Sequence, residues 1–570
     1  MKTIQILEKK GQMQSNGFDH VFSFSSNKAD SFPHHYINQM DFDSIYNEIY
    51  SKLCNVLEHN LFKEQFTYQG VYLLWCFKKE LFFYIFSMMM RHETFKQVMI
   101  KNSNGQFFLT DSKNSHKVCL ANIVKASPLN DPSRIFFKEN PSESTLTAEE
   151  SIKRKNSIWP SVCSIGNLKK TEVVIFSNFE RSKSVISHLR TKPVIFLNCP
   201  SPRIILQAVK NSLPFFQAVF HFKRKDTYQL TAESFSKILN ETRVFENFSI
   251  REVHCEALLN WKMNDLFRVH LPKLLFEIDK MTDFFNRAKS LKSALLDEDI
   301  DASKNAFCQV ARKFGVVSFV ELHGALGDKH GFMPFTADKM FVWGNAQKEK
   351  LIGWGCPSEK ILVSGCSRYD SYQRLNSEKI KKKVAKDLGL DSKEKMVVLA
   401  FMPVSRWYAY FEAHMEEIIS ETIEVVSEFS HEARFVIKLH PADENIDFYR
   451  SCIKHHKIEN RVSIIQKYDP LLLAKAAHFL IIYRSTYAID AFALDKPVIC
   501  LYDRDDDLIS EYRQFSVFQY ASDKNTLRKM CERLLREPFR WPDRWADAKI
   551  QCLNDGVPPG ALIAHQLLSA

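Results

Sequence analysis

From residue 172 onward the chain alternates short runs of β-branched and aromatic residues with longer stretches of helical period, and that alternation admits few folds. EVVIFSN and PVIFLN come first, and a helical stretch at 256–293 separates them from VVSFVELHG, DKMFVWG and ILVSG. The pattern then resumes with strand candidates at 396–403, 434–441, 461–466, 478–483 and 497–502, and helical patterns at 411–429, 446–456, 470–477 and 485–494 between them. Strands separated by helices cannot close as hairpins; they run parallel, with helices covering the sheet. The fold class is therefore α/β, a pair of Rossmann-like domains of which the second is five-stranded. Ligands of such sheets bind outside the carboxyl ends of the strands, and two such domains in succession place the ligand in the cleft between them.

The chain of 570 residues has room for about three to four domains. Residues 1–165 read as a mixed helical N-terminal region of unassigned role, ending in an exposed linker, PSESTLTAEESIKRKNS, at 141–157. The first Rossmann-like domain spans 166–376. A charged connection, SEKIKKKVAKDLGLDSKEK, follows at 377–395 and reads either as a solvated helix or as a lipid-binding patch. The second domain, with C-terminal helices, takes 396–570.

Composition narrows the chemistry. Lys and Arg number 78 against 67 Asp and Glu, a net +11 that favours anionic partners: nucleotides, phospholipid headgroups, nucleic acid or acidic glycans. With 16 glycines there is no Walker loop and no GxGxxG, so any phosphate site is built without a glycine cradle. The 13 cysteines form no CxxC pair and no cluster with histidine at zinc spacing, which argues against a disulfide framework or a structural zinc and for a reducing cytosol. The N-terminus lacks the apolar stretch of a signal peptide. The most apolar segment, 71–90, is interrupted by Lys78, Lys79 and Glu80, so it reads as a buried helix pair or a surface anchor rather than a membrane span. No aromatic RNP pattern, helix-turn-helix or tandem basic motif supports a nucleic-acid partner.

Four strand ends carry candidate chemistry. His323-Gly324 follows VVSFVEL, where the glycine lets backbone approach a ligand and the imidazole could serve as a general base near neutral pH. Cys366-Ser367-Arg368-Tyr369-Asp370 follows ILVSG; Arg368 could pair with phosphate while Asp370 holds the guanidinium, or the two could form a surface ion pair. His440 ends RFVIKLHP and is fixed in an extended conformation by Pro441, with Lys438 adding charge or facing solvent. Ser485 and Thr486 open a helix directly after a buried strand, where their hydroxyls and the first-turn N–H groups could hold an anion or simply cap the helix. An Asp-x-Asp within 503–507 offers a metal alternative, but it follows the last strand and reads as a solvated acidic loop.

Taken in order, HG, FVWG (341–344), GCSRYD (365–370), MPVSR (402–406), KLHP (438–441) and YRSTYAIDAFALDKPVICLYDRD (483–505) resemble the CDP-glycerol glycerophosphotransferases of teichoic-acid synthesis. They also resemble the related capsule polymerases, including bacterial polysialyltransferases with their HP and Ser/Thr motifs. The resemblance covers roughly residues 315–510 and does not reach 1–165. It implies a metal-independent GT-B fold without a cofactor, in which an acceptor-side first domain faces a second domain that binds the nucleotide donor. By resemblance His323 is the catalytic HG histidine and His440 the HP histidine at the donor phosphates. Ser485 and Thr486 are the hydroxyl pair on the phosphates, and Arg368 is the arginine of the GxPRxD-like loop. Asp490, the acidic residue of the following helix, and Lys438 are further candidates for donor contact. Two departures bear on donor identity: Ser367 stands where the family usually has proline, and MPVSR replaces the more usual PTxR.

The expectation is a cytoplasmic transferase at the inner face of the membrane. It would move a glycosyl or polyol-phosphate group from a nucleotide-activated donor, with cytidine the first choice of base, to a hydroxyl of a glycan or lipid-linked acceptor in surface-polysaccharide assembly. Two rivals share the architecture: a nucleotide-sugar epimerase, which would release free sugar, and a noncatalytic nucleotide-binding protein.

Overall fold

The computed structural model describes residues 3–7, 20–23, 30–31, 42–111, 120–139, 162–165, 171–177, 179–189, 194–197, 215–218, 226–327, 329–373, 375–402, 412–441, 443, 446–501, 509–554, 556 and 558–570. Within the first Rossmann-like domain Val173–Phe176 is the central strand. Val194–Leu197 and Phe215–Ala218 follow on one side, and Ser293–Leu296, Val317–Glu321, Lys339–Val342 and Ile361–Val363 on the other. These seven pair in parallel, and Val162–Ile165 closes one edge antiparallel to Phe215–Ala218. Numbered along the chain from Val173–Phe176, the parallel order is 3-2-1-4-5-6-7. The winding therefore reverses between Val173–Phe176 and Ser293–Leu296, the point at which doubly wound sheets leave a crevice.

The second domain repeats this logic. Lys395–Phe401 pairs on one side with Ala433–Lys438 and, beyond it, Val462–Ile465; on the other side lie Phe479–Tyr483, Val498–Leu501 and Gln519–Ala521. All pairs are parallel and the order is 3-2-1-4-5-6, with the reversal between Lys395–Phe401 and Phe479–Tyr483. The α/β class and the GT-B-like pair of Rossmann-ordered sheets are thus present. The sheet has six strands rather than the five expected, because Gln519–Ala521 is only three residues long and carries little signal.

Three further expectations are corrected. The stretch 256–293 is two helices, Glu256–Val269 and Leu271–Arg287, and then the central strand Ser293–Leu296, whose four residues are all buried and so lack the alternation that marks a half-exposed strand. Residues 1–165 are not only helical, since Thr3–Leu7, His20–Ser23, Asp30–Ser31, Gln106–Asp111 and Ile135–Glu139 form a third parallel sheet. The last helices, Trp545–Leu553 and Pro559–Leu568, cross back to the first domain. There Ile563, Ala564 and Leu567 join Val173, Leu295, Phe319 and Phe341 in one core, and the Ser293 hydroxyl donates to the Leu567 carbonyl at 2.6 Å.

The apolar segment 71–90 packs inward. Its long helix, Lys78–Lys101, buries Leu81, Phe82, Ile85, Met88, Met89 and Met90, and even Lys78 is buried, its Nζ donating to the Met333 carbonyl at 2.9 Å. Among the described residues no helix is long and apolar enough to cross a membrane. In the charged connection, Ser377–Leu388 is a helix capped by Asn376, which accepts from Lys379 N at 3.0 Å, and closed by Gly389 at φ +67°. Ile380, Val384 and Ala385 face inward and most of its lysines face solvent. The linker at 141–157 and the acidic run at 503–507 lie outside the described residues.

Candidate functional site

At the reversal point of the first sheet, strand Ser293–Leu296 delivers Asp297 and Glu298, and strand Val317–Glu321 delivers Glu321 and, two residues later, His323. Lys304 neutralises the acidic pair, with Nζ 2.6 Å from Asp297 and 3.2 Å from Glu298, while Arg181 approaches Asp297 at 3.6 Å. The His323 ring is half-buried, 5.6 Å from the Phe332 ring, and bonded to the Asp297 backbone. Burial, helped by Arg181, lowers its pKa against the opposing pull of Glu298 and Asp297. The ring is then neutral near pH 7, and a ring N–H given to a backbone carbonyl leaves the other nitrogen free to accept a proton.

The turn after Ile361–Val363 is set by Gly365 at φ +81°, where a Cβ would strike Pro559 of the returning C-terminal segment. It leads into the short turn Ser367–Tyr369, which points Arg368 across the domain boundary. The guanidinium pairs with Asp490 of the second domain, and the Tyr369 hydroxyl donates to the same Asp490 Oδ1 at 2.7 Å. Asp370, expected to hold the guanidinium, instead accepts from Ser184 and from Gly560 N, the latter at 3.0 Å. Asp490 is buried and forms an inter-domain ion pair with Arg368.

In the second domain, strand Phe479–Tyr483 ends in Arg484, a non-glycine residue at φ +47°. Such backbone costs about 1–3 kcal/mol and persists only where its surroundings enforce it. It turns the chain so that Ser485 and Thr486 precede helix Tyr487–Ala493 at the sheet's reversal point. Ser485 Oγ accepts from Tyr487 N at 3.3 Å, and Thr486 Oγ1 accepts from Ala325 N at 3.4 Å. Gly324 faces Thr486, the nearest atom to a Cβ placed there being Thr486 Oγ1 at 3.4 Å. The HG turn of one domain therefore rests on the Ser/Thr turn of the other.

His440 follows Ala433–Lys438, and its loop is fixed by its own carbonyl, which accepts from Asp443 N at 3.0 Å and from Gln466 Nε2 at 3.1 Å. The imidazole is exposed at the sheet edge, and its pKa is lowered by desolvation first and by Lys438 second, against Asp443. Because Ala433–Lys438 and Phe479–Tyr483 flank Lys395–Phe401 in parallel, His440 and Ser485 leave the same edge of the sheet, two strand spacings or about 10 Å apart. Lys438 is otherwise engaged: Nζ donates to the Leu439 and Gln466 carbonyls at 2.8 and 2.9 Å, and burial lowers its pKa.

The structure thus brings His323, Arg368, Asp490 and Thr486 to one inter-domain seam, with Ser485 and His440 along the second sheet's edge. A small cavity in the first domain, bordered by His323 and Arg368 of this seam, is lined by Arg181, Asp297, Glu321, Leu322, His323, Trp343, Cys366 and Arg368. Sequence reasoning missed Arg181, Asp297 and Glu321. Glu321 had a signal, a carboxylate ending an otherwise apolar strand next to HG; Arg181 and Asp297 had none without the strand Ser293–Leu296. Residues 403–406 of MPVSR lie outside the described residues.

Residues 353–523 match the family model described as CDP-Glycerol:Poly(glycerophosphate) glycerophosphotransferase. Comparison with curated proteins gives no match. Among solved structures, UDP-GlcNAc 2-epimerase from Methanocaldococcus jannaschii aligns at 14% identity and TM-score 0.47, covering 70% of this chain and 100% of the other. UDP-GlcNAc 2-epimerase from Neisseria meningitidis bound to UDP-GlcNAc aligns at 14% and 0.47, covering 70% and 99%. A glycosyltransferase from Rickettsia africae ESF-5 aligns at 11% and 0.40, again covering 70% and 99%. From the last strand of the first domain, Ile361–Val363, and the turn after it through all six strands of the second sheet, this chain is similar to the CDP-glycerol glycerophosphotransferases.

Proposed function

We propose that the protein transfers a glycosyl or polyol-phosphate group from a nucleotide-activated donor, cytidine being the first choice of base, to a hydroxyl of a glycan or lipid-linked acceptor in surface-polysaccharide assembly. The observation that carries this reading is the contact between the HG and Ser/Thr turns, through Ala325 N and Thr486 Oγ1. It supports the reading by joining the turn that carries the candidate base to the turn that carries the candidate phosphate ligands across the domain boundary.

In this reading the donor phosphates lie along the edge of the second sheet, where His440 and the Ser485 and Thr486 hydroxyls donate hydrogen bonds to them. The bond from the donor's anomeric carbon or phosphorus to the nucleotide breaks as the acceptor oxygen attacks. His323, neutral for the reasons above, takes the acceptor proton, and the negative charge gathering on the nucleotide is stabilised by these donors and by Arg368. No step is assigned to a metal ion. The basic face of Ser377–Leu388 fits a peripheral contact with an anionic membrane.

A thermal-shift screen with CMP, CDP, UDP and GDP compounds tests the donor assignment. A ligand present at a hundred times its dissociation constant adds about 2.7 kcal/mol of stability, which is easily read as a shift in Tm. The largest shift is expected from a cytidine compound. Stabilisation by none of the four would remove the nucleotide site.

A further inference from the structure

The first-domain cavity beside the seam holds an ionisable group that the transfer step above does not use. Glu321 ends the strand Val317–Glu321 and is buried. Among the described residues its two hydrogen bonds come from a single one: Ser367 gives Oε1 its backbone N–H at 3.1 Å and its hydroxyl at 2.6 Å. Oε2 is left as the open acceptor of a carboxylate that lines the cavity.

Charge is layered in this cavity. Glu321 is buried and the Asp297 side chain is 13% exposed, whereas the side chains of Arg368 and Arg181 are 23% and 39% exposed. Carboxylates form the floor and guanidiniums stand toward solvent. An anionic group is repelled from the floor and attracted to the mouth, while a neutral hydroxyl can donate to the floor.

We propose that Glu321 contacts the acceptor, its Oε2 accepting a hydrogen bond from a hydroxyl at the acceptor's reacting end, and that Ser367 is the positioning residue that holds the carboxylate turned to the cavity. The proposal rests on the transferase reading above. Ser367 stands where the resembling family usually has proline, which has neither N–H nor hydroxyl to give. Cys366 before it has φ −102° and ψ 110°, the extended conformation a following proline requires. Ser367→Pro therefore suits the backbone and removes both donors together.

The groups facing Glu321 are Arg181 from helix Phe179–His188, and Cys366, Ser367 and Arg368 from the neighbouring turn. Burial pushes the Glu321 carboxyl up to about 7, against the two Ser367 hydrogen bonds and the two arginines. Loss of the Ser367 donors moves it higher still, so a carboxylate needed in ionised form is restored by raising the pH.

The test uses the full chain with CDP-glycerol and with CMP-, UDP- and GDP-activated sugars as donors, and glycerol as the probe acceptor. Glu321→Gln should lower glycerol-dependent turnover about tenfold or more, the loss expected for one hydrogen bond to a charged group, with donor affinity by calorimetry nearly unchanged. Ser367→Pro should lose turnover at about pH 7 and recover it at about pH 9, where Glu321→Gln does not recover. Turnover of Glu321→Gln equal to wild type, or a Ser367→Pro pH profile that superimposes on wild type, overturns the proposal. If wild type consumes none of the donors, the transferase reading fails, and melting curves still read the ionisation of Glu321. An acid whose folded pKa is raised costs stability above that pKa, and the cost disappears as pH falls toward the ordinary value. The Tm of Glu321→Gln should then exceed that of wild type at about pH 8.5 and converge with it at about pH 5; a gap independent of pH would contradict the raised carboxyl on which the Ser367→Pro pH profile depends.

Discussion

His323 and His440 sit in unlike surroundings, and the account gives them unlike tasks. If His440 binds the donor phosphates as proposed, His440→Ala should weaken nucleotide binding by about 1.5–3 kcal/mol, read by calorimetry, together with turnover. His323→Ala should leave nucleotide affinity nearly unchanged and lower transfer by about a hundredfold or more. Normal turnover of His323→Ala at saturating acceptor would remove its assignment as base. A third histidine, His330, is buried with both ring nitrogens unbonded among the described residues, its ring 3.9 Å from that of Phe82. Burial holds its pKa well below 6.5. Unfolded chains take up this proton as pH falls through about 6.5 while the folded protein does not, so His330 removes up to about 1.4 kcal/mol of stability per pH unit on the acid side. Urea melts should show that His330→Phe flattens the acid limb between about pH 6.5 and pH 5. An unchanged limb would contradict the assignment.

At the scale of elements, legibility followed length and flanking residues. The strands that lead into His323, His440 and Ser485 are readable because each is a run rich in β-branched and aromatic residues followed within two positions by a polar residue. Ser293–Leu296 was not, because a four-residue strand buried on both faces has no period of two and merges with the helical pattern before it. With that strand hidden, Asp297 could not be placed, nor the Arg181 that faces it. The pairing of Arg368 with Asp490 was equally out of reach, since residues 122 positions apart in the chain meet only when the two domains do. The destination of the C-terminal helix is likewise a tertiary fact. Leu567 lies in the core under the first sheet, so Leu567→Ala should cost about 2–5 kcal/mol in denaturant melts, whereas a helix packed only on the second domain would leave the first domain's transition unmoved.

On the scale of the whole molecule, two Rossmann-ordered sheets meet at a seam where the buried Asp490 pairs with the half-buried Arg368. Removing one partner of such a pair strands the other, so Asp490→Ala should destabilise the protein by about 3–5 kcal/mol and uncouple the domains in calorimetric melts. A single unchanged transition would mean that the pair does not hold the seam. The net charge of +11 and the lysine face of Ser377–Leu388 bear on where this molecule works. Surface attraction is screened beyond about 8 Å at physiological ionic strength, so high salt should release the protein from washed membranes; a protein wholly in the soluble fraction at low salt would rule out the contact.

The central claim is that a nucleotide-activated group leaves its donor for an acceptor hydroxyl. The measurement that bears on it most directly follows the label: wild-type protein is incubated with donor labelled in the transferred group and with a membrane fraction carrying glycan acceptors, and the products are separated by size. The account predicts label in acceptor-linked material and its loss in His440→Ala. Label recovered as free sugar, independent of added acceptor, would contradict transfer and point to the epimerase chemistry that a two-domain nucleotide-sugar site can also perform.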